Sequence, residues 1–184
     1  MSGGAARAAR EQDPRFGEGR EAVVLVVSTS AAAGEAADTT GPVLVEWLRG
    51  RGYACAGPVV VTDGEPVGRA LRAALTPGDG ADVPRVVVTT GGTGLNPDDR
   101  TPEQTADLIE RPTPGILHAL WSRGLESTPT AVMSRGLAGV RGRTFLVNLP
   151  GSRGGVKDGI AVLDGLLPHI QAQIEDERDH GGTR

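Results

Sequence analysis

The chain has 184 residues, 38% of them apolar, and a formal net charge of −4, which is enough to bury one substantial core within a single domain. That charge, with only two Trp, two Phe and one Tyr, leaves no basic, aromatic-rich face for nucleic acid, and no apolar run approaches the roughly 20 residues that span a bilayer. The single cysteine, Cys55, closes no internal disulfide, and His118, His169 and His180 have no metal-ligand spacing, so the expectation is a cytoplasmic protein with neither nucleic-acid nor membrane partners.

Residues 1–20 are rich in Gly, Ala, Arg and Glu without an apolar period and read as a disordered tail, as do residues 176–184; the span 21–175 reads as the one domain. Strands are expected over 22–28, 59–62 and 85–90, alternating with helices over 40–51, 66–75 and 101–110. Apolar β-branched strands separated by helices argue for an α/β fold. It should have three αβα layers around a mostly parallel sheet, with ligands beyond the carboxyl ends of the strands. The Pro- and Gly-containing stretch 77–82 reads as a surface loop. A helix is expected over 114–123, and strands over 130–134 and 144–148 with a turn over 139–142, giving a small appended β-hairpin. Val156, Ile160, Leu163, Leu166, Leu167, Ile170 and Ile174 then follow helical spacing that Pro168 interrupts, which predicts a kinked or two-part final helix.

The most telling run is Thr89-Thr90-Gly91-Gly92-Thr93-Gly94, behind Val86-Val87-Val88 and ahead of Asp98-Asp99. Glycines after a buried strand let backbone N–H groups approach a ligand closely, which suits phosphate. Carboxylates cannot hold phosphate directly, so an acidic pair beside such a cradle points to a bridging divalent cation. The run lacks the third glycine of a dinucleotide fingerprint, and neither a Walker A run nor Gly-x-Ser-x-Gly occurs in the chain. Cys55 sits between two alanines without a nearby partner, which argues against covalent catalysis, and His118 reads as a packed or surface histidine.

Four motifs in order carry a resemblance: residues 89–94; Asp99-Arg100-Thr101-Pro102-Glu103; Ser134-Arg135-Gly136; and Asn148-Leu149-Pro150-Gly151-Ser152. Together with Asp38-Thr39-Thr40-Gly41-Pro42, Val61-Thr62-Asp63 and Pro114-Gly115, they make the chain resemble the molybdopterin adenylyltransferases, the MogA- and MoaB-like proteins and the gephyrin G domain, over about residues 22–174. The resemblance implies an enzyme of molybdenum cofactor biosynthesis that binds Mg-ATP and molybdopterin, transfers AMP to the terminal phosphate of the pterin and releases pyrophosphate. It also implies a homotrimer, with a molybdenum-insertion protein as a candidate partner. Carried over by motif, Asp63 and Asp99 are the catalytic and Mg²⁺-holding residues. The nucleotide- and pterin-binding residues are Gly91, Gly92, Thr93, Gly94, Thr101, Pro114, Gly115, Ser134, Arg135, Asn148, Pro150, Gly151 and Ser152. The alternative is a molybdopterin-binding protein of the same fold without transferase activity.

These residue types suit the chemistry. A phosphate monoester is already anionic near neutral pH, so its attack on an α-phosphorus needs alignment and charge neutralisation more than a strong base. Mg²⁺ takes one or two carboxylates plus phosphates and waters, and the planar guanidinium of Arg135 is expected to face the pterin phosphate. Plainer readings stand beside each: a strand-to-helix turn for 91–94, a helix start for Asp99 to Glu103, a turn for Asp63-Gly64, a solvated arginine at 135 and a Pro-Gly turn after Asn148. Two positions depart from many relatives, Thr29-Ser30 after the first-strand serine and Asp98 where Arg is common, and Arg100 and Arg153 are candidates to restore the missing charge.

Overall fold

A computed structural model describes residues 14–76 and 82–176. The expected β-branched runs form β1 (Glu21–Val27), β3 (Val59–Val61), β4 (Val86–Thr90) and β7 (Thr144–Leu149), to which the short β2 (Ala54–Cys55), β5 (Arg111–Pro112) and β6 (Ala138–Arg141) are added. The sheet runs β2-β1-β4-β7-β6-β5, with β3 also beside β1. β1, β3, β4 and β7 are mutually parallel, in a register that pairs Val24 with Val88 and Val88 with Val147, whereas β6 and β5 run antiparallel on the far edge.

Among the described residues, six helices accompany the sheet: α1 (Thr29–Ala32), α2 (Gly41–Gly50), α3 (Glu65–Leu75), α4 (Thr101–Ala106), α5 (Pro114–Leu125) and α6 (Arg153–Asp176). Proline occupies the first turn of α2, α3, α4 and α5, where its missing N–H costs nothing and its fixed φ already suits a helix. Asp38 holds the start of α2 through Oδ1, which accepts from the N–H groups of Thr40 and Gly41, both at 2.9 Å.

Side chains alternate across the strands, and because parallel strands are covered on both faces, both sets are apolar. Val24, Val26, Val88, Phe145 and Val147 meet Leu44 and Leu48 of α2 and Leu163 and Leu167 of α6. Leu25, Val27, Val87 and Leu146 meet Val67 and Leu71 of α3. These are the three expected αβα layers. Leu163 is fully buried, so Leu163→Ala would remove about 2–5 kcal/mol.

Several expectations are corrected. Residues 130–134 are not a strand: Pro129–Met133 form a 3₁₀ turn, started by Pro129 and by Thr128, whose hydroxyl accepts from Thr130 N. The hairpin arm is β6, which overlaps the stretch 139–142 expected as its turn, and the chain reverses at the last residue of that stretch, Gly142, φ +52°. Gly139 looks like a turn residue, yet a Cβ there would fall 2.3 Å from Ile109 Cγ2 and 2.8 Å from Arg111 O, so glycine is what lets β5 lie against β6. α4 ends at Ala106 rather than 110, and α6 is one unbroken helix with Pro168 inside it, not two pieces. Residues 14–20, expected in the tail, pack: the Phe16 ring meets Tyr53 edge-on at 5.9 Å, and Gly17 N donates to Arg51 O at 2.8 Å. The rest of both tails (1–13 and 177–184) and loop residues 77–81 lie outside the described residues. No described helix is long and apolar enough to cross a membrane.

Candidate functional site

The parallel strands β1, β4 and β7 end on one edge of the sheet, and there a cleft of about 620 Å³ opens between the 91–94 loop, the 150–152 turn, α5, the 3₁₀ turn and the start of α6. Gly91 and Gly92 have φ of +102° and +62°, which L side chains rarely adopt. Space also requires them. A Cβ on Gly91 would lie 2.1 Å from Val27 O, and one on Gly92 would lie 2.3 Å from both Asp63 Oδ2 and Thr101 Oγ1. Gly91 N donates to Leu149 O at 3.1 Å and Thr90 Oγ1 to Pro150 O at 2.9 Å, which ties the two turns together.

Both expected carboxylates flank this loop. Asp63 Oδ1 accepts from Gly64 N at 2.7 Å and Arg100 N at 3.1 Å, while its Oδ2 faces Gly92. Asp99 lines the cleft, and its Oδ2 accepts from Asn96 N at 2.9 Å and lies 2.7 Å from where a Gly94 Cβ would be. Asp63 Oδ2 and Asp99 Oδ1 therefore retain acceptor capacity. Among the described residues no three His, Cys, Asp or Glu side chains gather as a metal cage. Two oxygen donors from different segments beside one phosphate-sized loop suit Mg²⁺, which completes its shell with phosphate and water. Thr101 Oγ1, buried without a hydrogen-bond partner among the described residues, adjoins the same glycine.

The structure gives Arg135 a different task from the one expected. Its Nε donates to Gly94 O at 2.8 Å, its Nη2 to Asp99 O at 2.5 Å, and its Nη1 to Glu103 Oε1. The guanidinium thus clamps the loop that carries Asp99 and does not line the cleft. The hydrogen bond from Arg135 holds the Glu103 carboxyl below the usual carboxylate range. Ser134 supports the same loop, its hydroxyl donating to Thr93 Oγ1 at 3.1 Å.

Asn148 lines the cleft, but its side chain is saturated within the fold. Nδ2 donates to Thr89 Oγ1 at 2.9 Å and Thr105 Oγ1 at 3.0 Å, and Oδ1 accepts from Leu137 N at 3.0 Å. It stitches β4, α4 and the chain leading into β6, as its 1% exposure requires. Pro150, Gly151 and Ser152 line the cleft as expected. Ser152 Oγ accepts from Gly155 N at 3.0 Å and so caps α6, whose N-terminal amides and dipole face the cleft and favour anions. Pro114 and Gly115 are not brought in. They are exposed at the far end of α5, and a Cβ on Gly115 would meet nothing within 4 Å.

Sequence reasoning missed the apolar wall. Leu117, Leu120, Trp121 and Gly124 of α5, with Ala131 and Met133 of the 3₁₀ turn, close one side of the cleft. Trp121 is pinned there by its Nε1, which donates to Ser134 O at 3.0 Å. The spacing Leu117, Leu120, Trp121 and Gly124 was the available signal, but a helix stripe of this kind ordinarily faces the core. Gly155 and Gly159 let α6 approach closely, since a Cβ on either would lie 2.7 Å from Pro150 Cβ or Leu149 Cδ1. The cleft therefore joins an amide cradle and a helix N-terminus suited to anions, one carboxylate of its lining, Asp99, and an apolar, aromatic-containing wall suited to a planar ring, while Asp63 and Thr101 adjoin Gly92 outside that lining.

Residues 23–169 match the family described as probable molybdopterin binding domain. A molybdenum cofactor biosynthesis bifunctional protein of Synechococcus elongatus is 39% identical over 165 residues, covering 89% of this chain and 50% of that protein. A molybdopterin adenylyltransferase of Haemophilus influenzae is 31% identical over 140 residues, covering 73% of this chain and 68% of that protein. Among solved structures, the molybdopterin biosynthesis Mog protein of Mycobacterium ulcerans superposes with a TM-score of 0.77 at 44% identity, covering 84% of this chain and 99% of that one. The chain spans half or less of the length of the longer curated relatives it matches.

Proposed function

We propose, because this chain belongs to the probable molybdopterin binding domain family, that it acts in molybdenum cofactor biosynthesis by adenylylating molybdopterin with Mg-ATP. The observation that carries the reading is one cleft that holds the 91–94 loop, Asp99 and the N-terminus of α6, with Asp63 against Gly92 beside it and an unengaged oxygen on each carboxylate. An oxygen of the pterin phosphate attacks the α-phosphorus of ATP, the bond from that phosphorus to the bridging oxygen breaks, and pyrophosphate leaves.

The chain contributes alignment and charge rather than a strong base. Backbone amides of the 91–94 loop and the Ser152-capped start of α6 hold phosphate oxygens in fixed directions. Asp99, with Asp63 across Gly92, would hold Mg²⁺, which when bound neutralises charge on the triphosphate and the departing pyrophosphate. Arg135 and Glu103 keep the Asp99 loop in place, so the neutralising role once expected of Arg135 passes to Arg100 and Arg153, both exposed beside Asp99 and Ser152 in the chain. The apolar wall excludes water and takes up the planar ring. A homotrimer in the cytoplasm, serving a molybdenum-insertion protein, completes the proposal.

Purified protein incubated with molybdopterin, ATP and Mg²⁺ should release pyrophosphate only when the pterin is present. Pterin binding with no pyrophosphate would replace this reading with that of a binding protein of the same fold. Pyrophosphate release without pterin dependence would point to another nucleotide enzyme. Sedimentation at several concentrations should give a trimer.

A further inference from the structure

We propose that Asp158 selects the ring bound in the cleft: its carboxylate accepts the paired N–H donors of a 2-amino-4-oxopyrimidine edge, where an adenine edge is rejected. The inference rests on the proposed function, since it names how that cleft tells a pterin from a nucleotide base. Asp158 stands in the second turn of α6 and lines the cleft together with Trp121, Leu117 and Leu120. Its side chain is only 17% exposed. Its one ionic neighbour among the described residues is Arg123, whose Nε lies 3.6 Å from Oδ1, beyond a normal hydrogen bond. Arg123 is itself 45% exposed and donates through Nη1 to Glu126 Oε2 at 2.7 Å.

The contrast with the other carboxylates of the cleft region is direct. Asp63 and Asp99 each receive backbone N–H groups that fix them on the glycine loop, whereas Asp158 receives no hydrogen bond from the described residues. A largely buried carboxylate against an apolar wall costs free energy until donors reach it, so a ligand that brings donors gains the full interaction. A 2-amino-4-oxopyrimidine ring presents its N3–H and exocyclic amine side by side, matching the two oxygens of one carboxylate. Adenine places the N1 lone pair beside its amine, and that lone pair would face the second oxygen. Trp121 and the leucines supply the flat apolar surface that holds such a ring edge-on to Asp158.

The test is calorimetric titration of the full chain with a pterin carrying a side-chain phosphate and with its lumazine counterpart, in which a carbonyl replaces the 2-amino group. The wild type should bind the pterin at least about tenfold more tightly than the lumazine. Asp158→Asn should bring that ratio close to one, and Asp158→Glu should restore part of it. A wild type without the preference, or an Asp158→Asn variant that keeps it, would overturn the inference and leave the proposed function standing. A wild type that binds no pterin would remove both.

Discussion

The two ends of the central sheet use the same residue types to opposite effect. At the amino end, Arg20 and Arg85 immediately precede β1 and β4 and converge on Glu175 of α6: Arg20 Nε and Nη2 donate to its two oxygens at 2.7 and 2.5 Å, and Arg85 Nε lies 3.7 Å away. Arg51 likewise grips Asp164 through two bonds of 2.6 Å, with Trp47 Nε1 adding a third at 2.8 Å. Burial pushes both carboxyls up, but the arginine hydrogen bonds outweigh it and hold Glu175 and Asp164 below the usual carboxylate range. At the carboxyl end, Asp63 and Asp99 meet no cationic side chain within salt-bridge distance among the described residues, and each keeps an oxygen without a hydrogen-bond partner there. Matched charge closes one end and unmatched charge leaves the other open to a ligand.

The sharpest way to break this contrast is at the open end. On the proposed function, Asp99→Asn should lower pyrophosphate release by about 10²–10³-fold while leaving the melting temperature unchanged, because the carboxylate faces the cleft and not the core. An equal loss of stability would show that Asp99 is structural. At the closed end the outcome should invert. Glu175→Gln strands two largely buried guanidinium groups and should cost about 2 kcal/mol in urea unfolding, with turnover per folded molecule unchanged.

The pH dependence sharpens the same point. Glu175 and Asp164 have folded-state values below their unfolded ones, so their stabilisation is full above the ordinary carboxylate range of about 4 and is lost as pH falls through the folded values. The gap in melting temperature between wild type and Glu175→Gln should be widest near neutral pH and close progressively below about pH 4. A gap that widened in acid would refute the assignment. The smallest effect belongs to Glu103→Gln. Its pair with Arg135 is exposed enough for solvent to screen it, so stability should not change measurably. Turnover should still fall severalfold, as the Asp99 loop loses one restraint, with the loss read as a higher Mg²⁺ requirement in steady-state rates.

Much of this was legible in the chain. Apolar β-branched runs marked β1, β3 and β4 as parallel strands, since such strands are buried on both faces and carry no polar alternation, whereas β7, expected in the appended hairpin, pairs parallel with β4 inside the sheet. Gly91 and Gly92 stand where φ is positive and where a Cβ would strike Val27 O or Asp63, so the tight turn after β4 was readable from residue type alone. The hairpin was misplaced because its strand contains Gly139, a turn signal that only the approach of β5 explains. The Thr130-Ala131-Val132-Met133 run looks like a strand by composition, but Pro129 starts a 3₁₀ turn in its place. Arg135 was aimed at phosphate by motif and proves to hold the carbonyls of Gly94 and Asp99.

The chain by itself determined the alternation of strands and helices, the mostly parallel character of the sheet and the glycine turns, because those depend on local backbone preference and on which faces must be apolar. Tertiary structure alone decided which polar groups are engaged and which are open. Asn148 finds Thr89 across 59 positions, Arg20 finds Glu175 across 155, and the wall carrying Trp121 meets Asp158 only once α5 lies beside α6. A side chain's chemistry is written in its identity, but whether it is satisfied depends on partners that packing brings from elsewhere in the sequence.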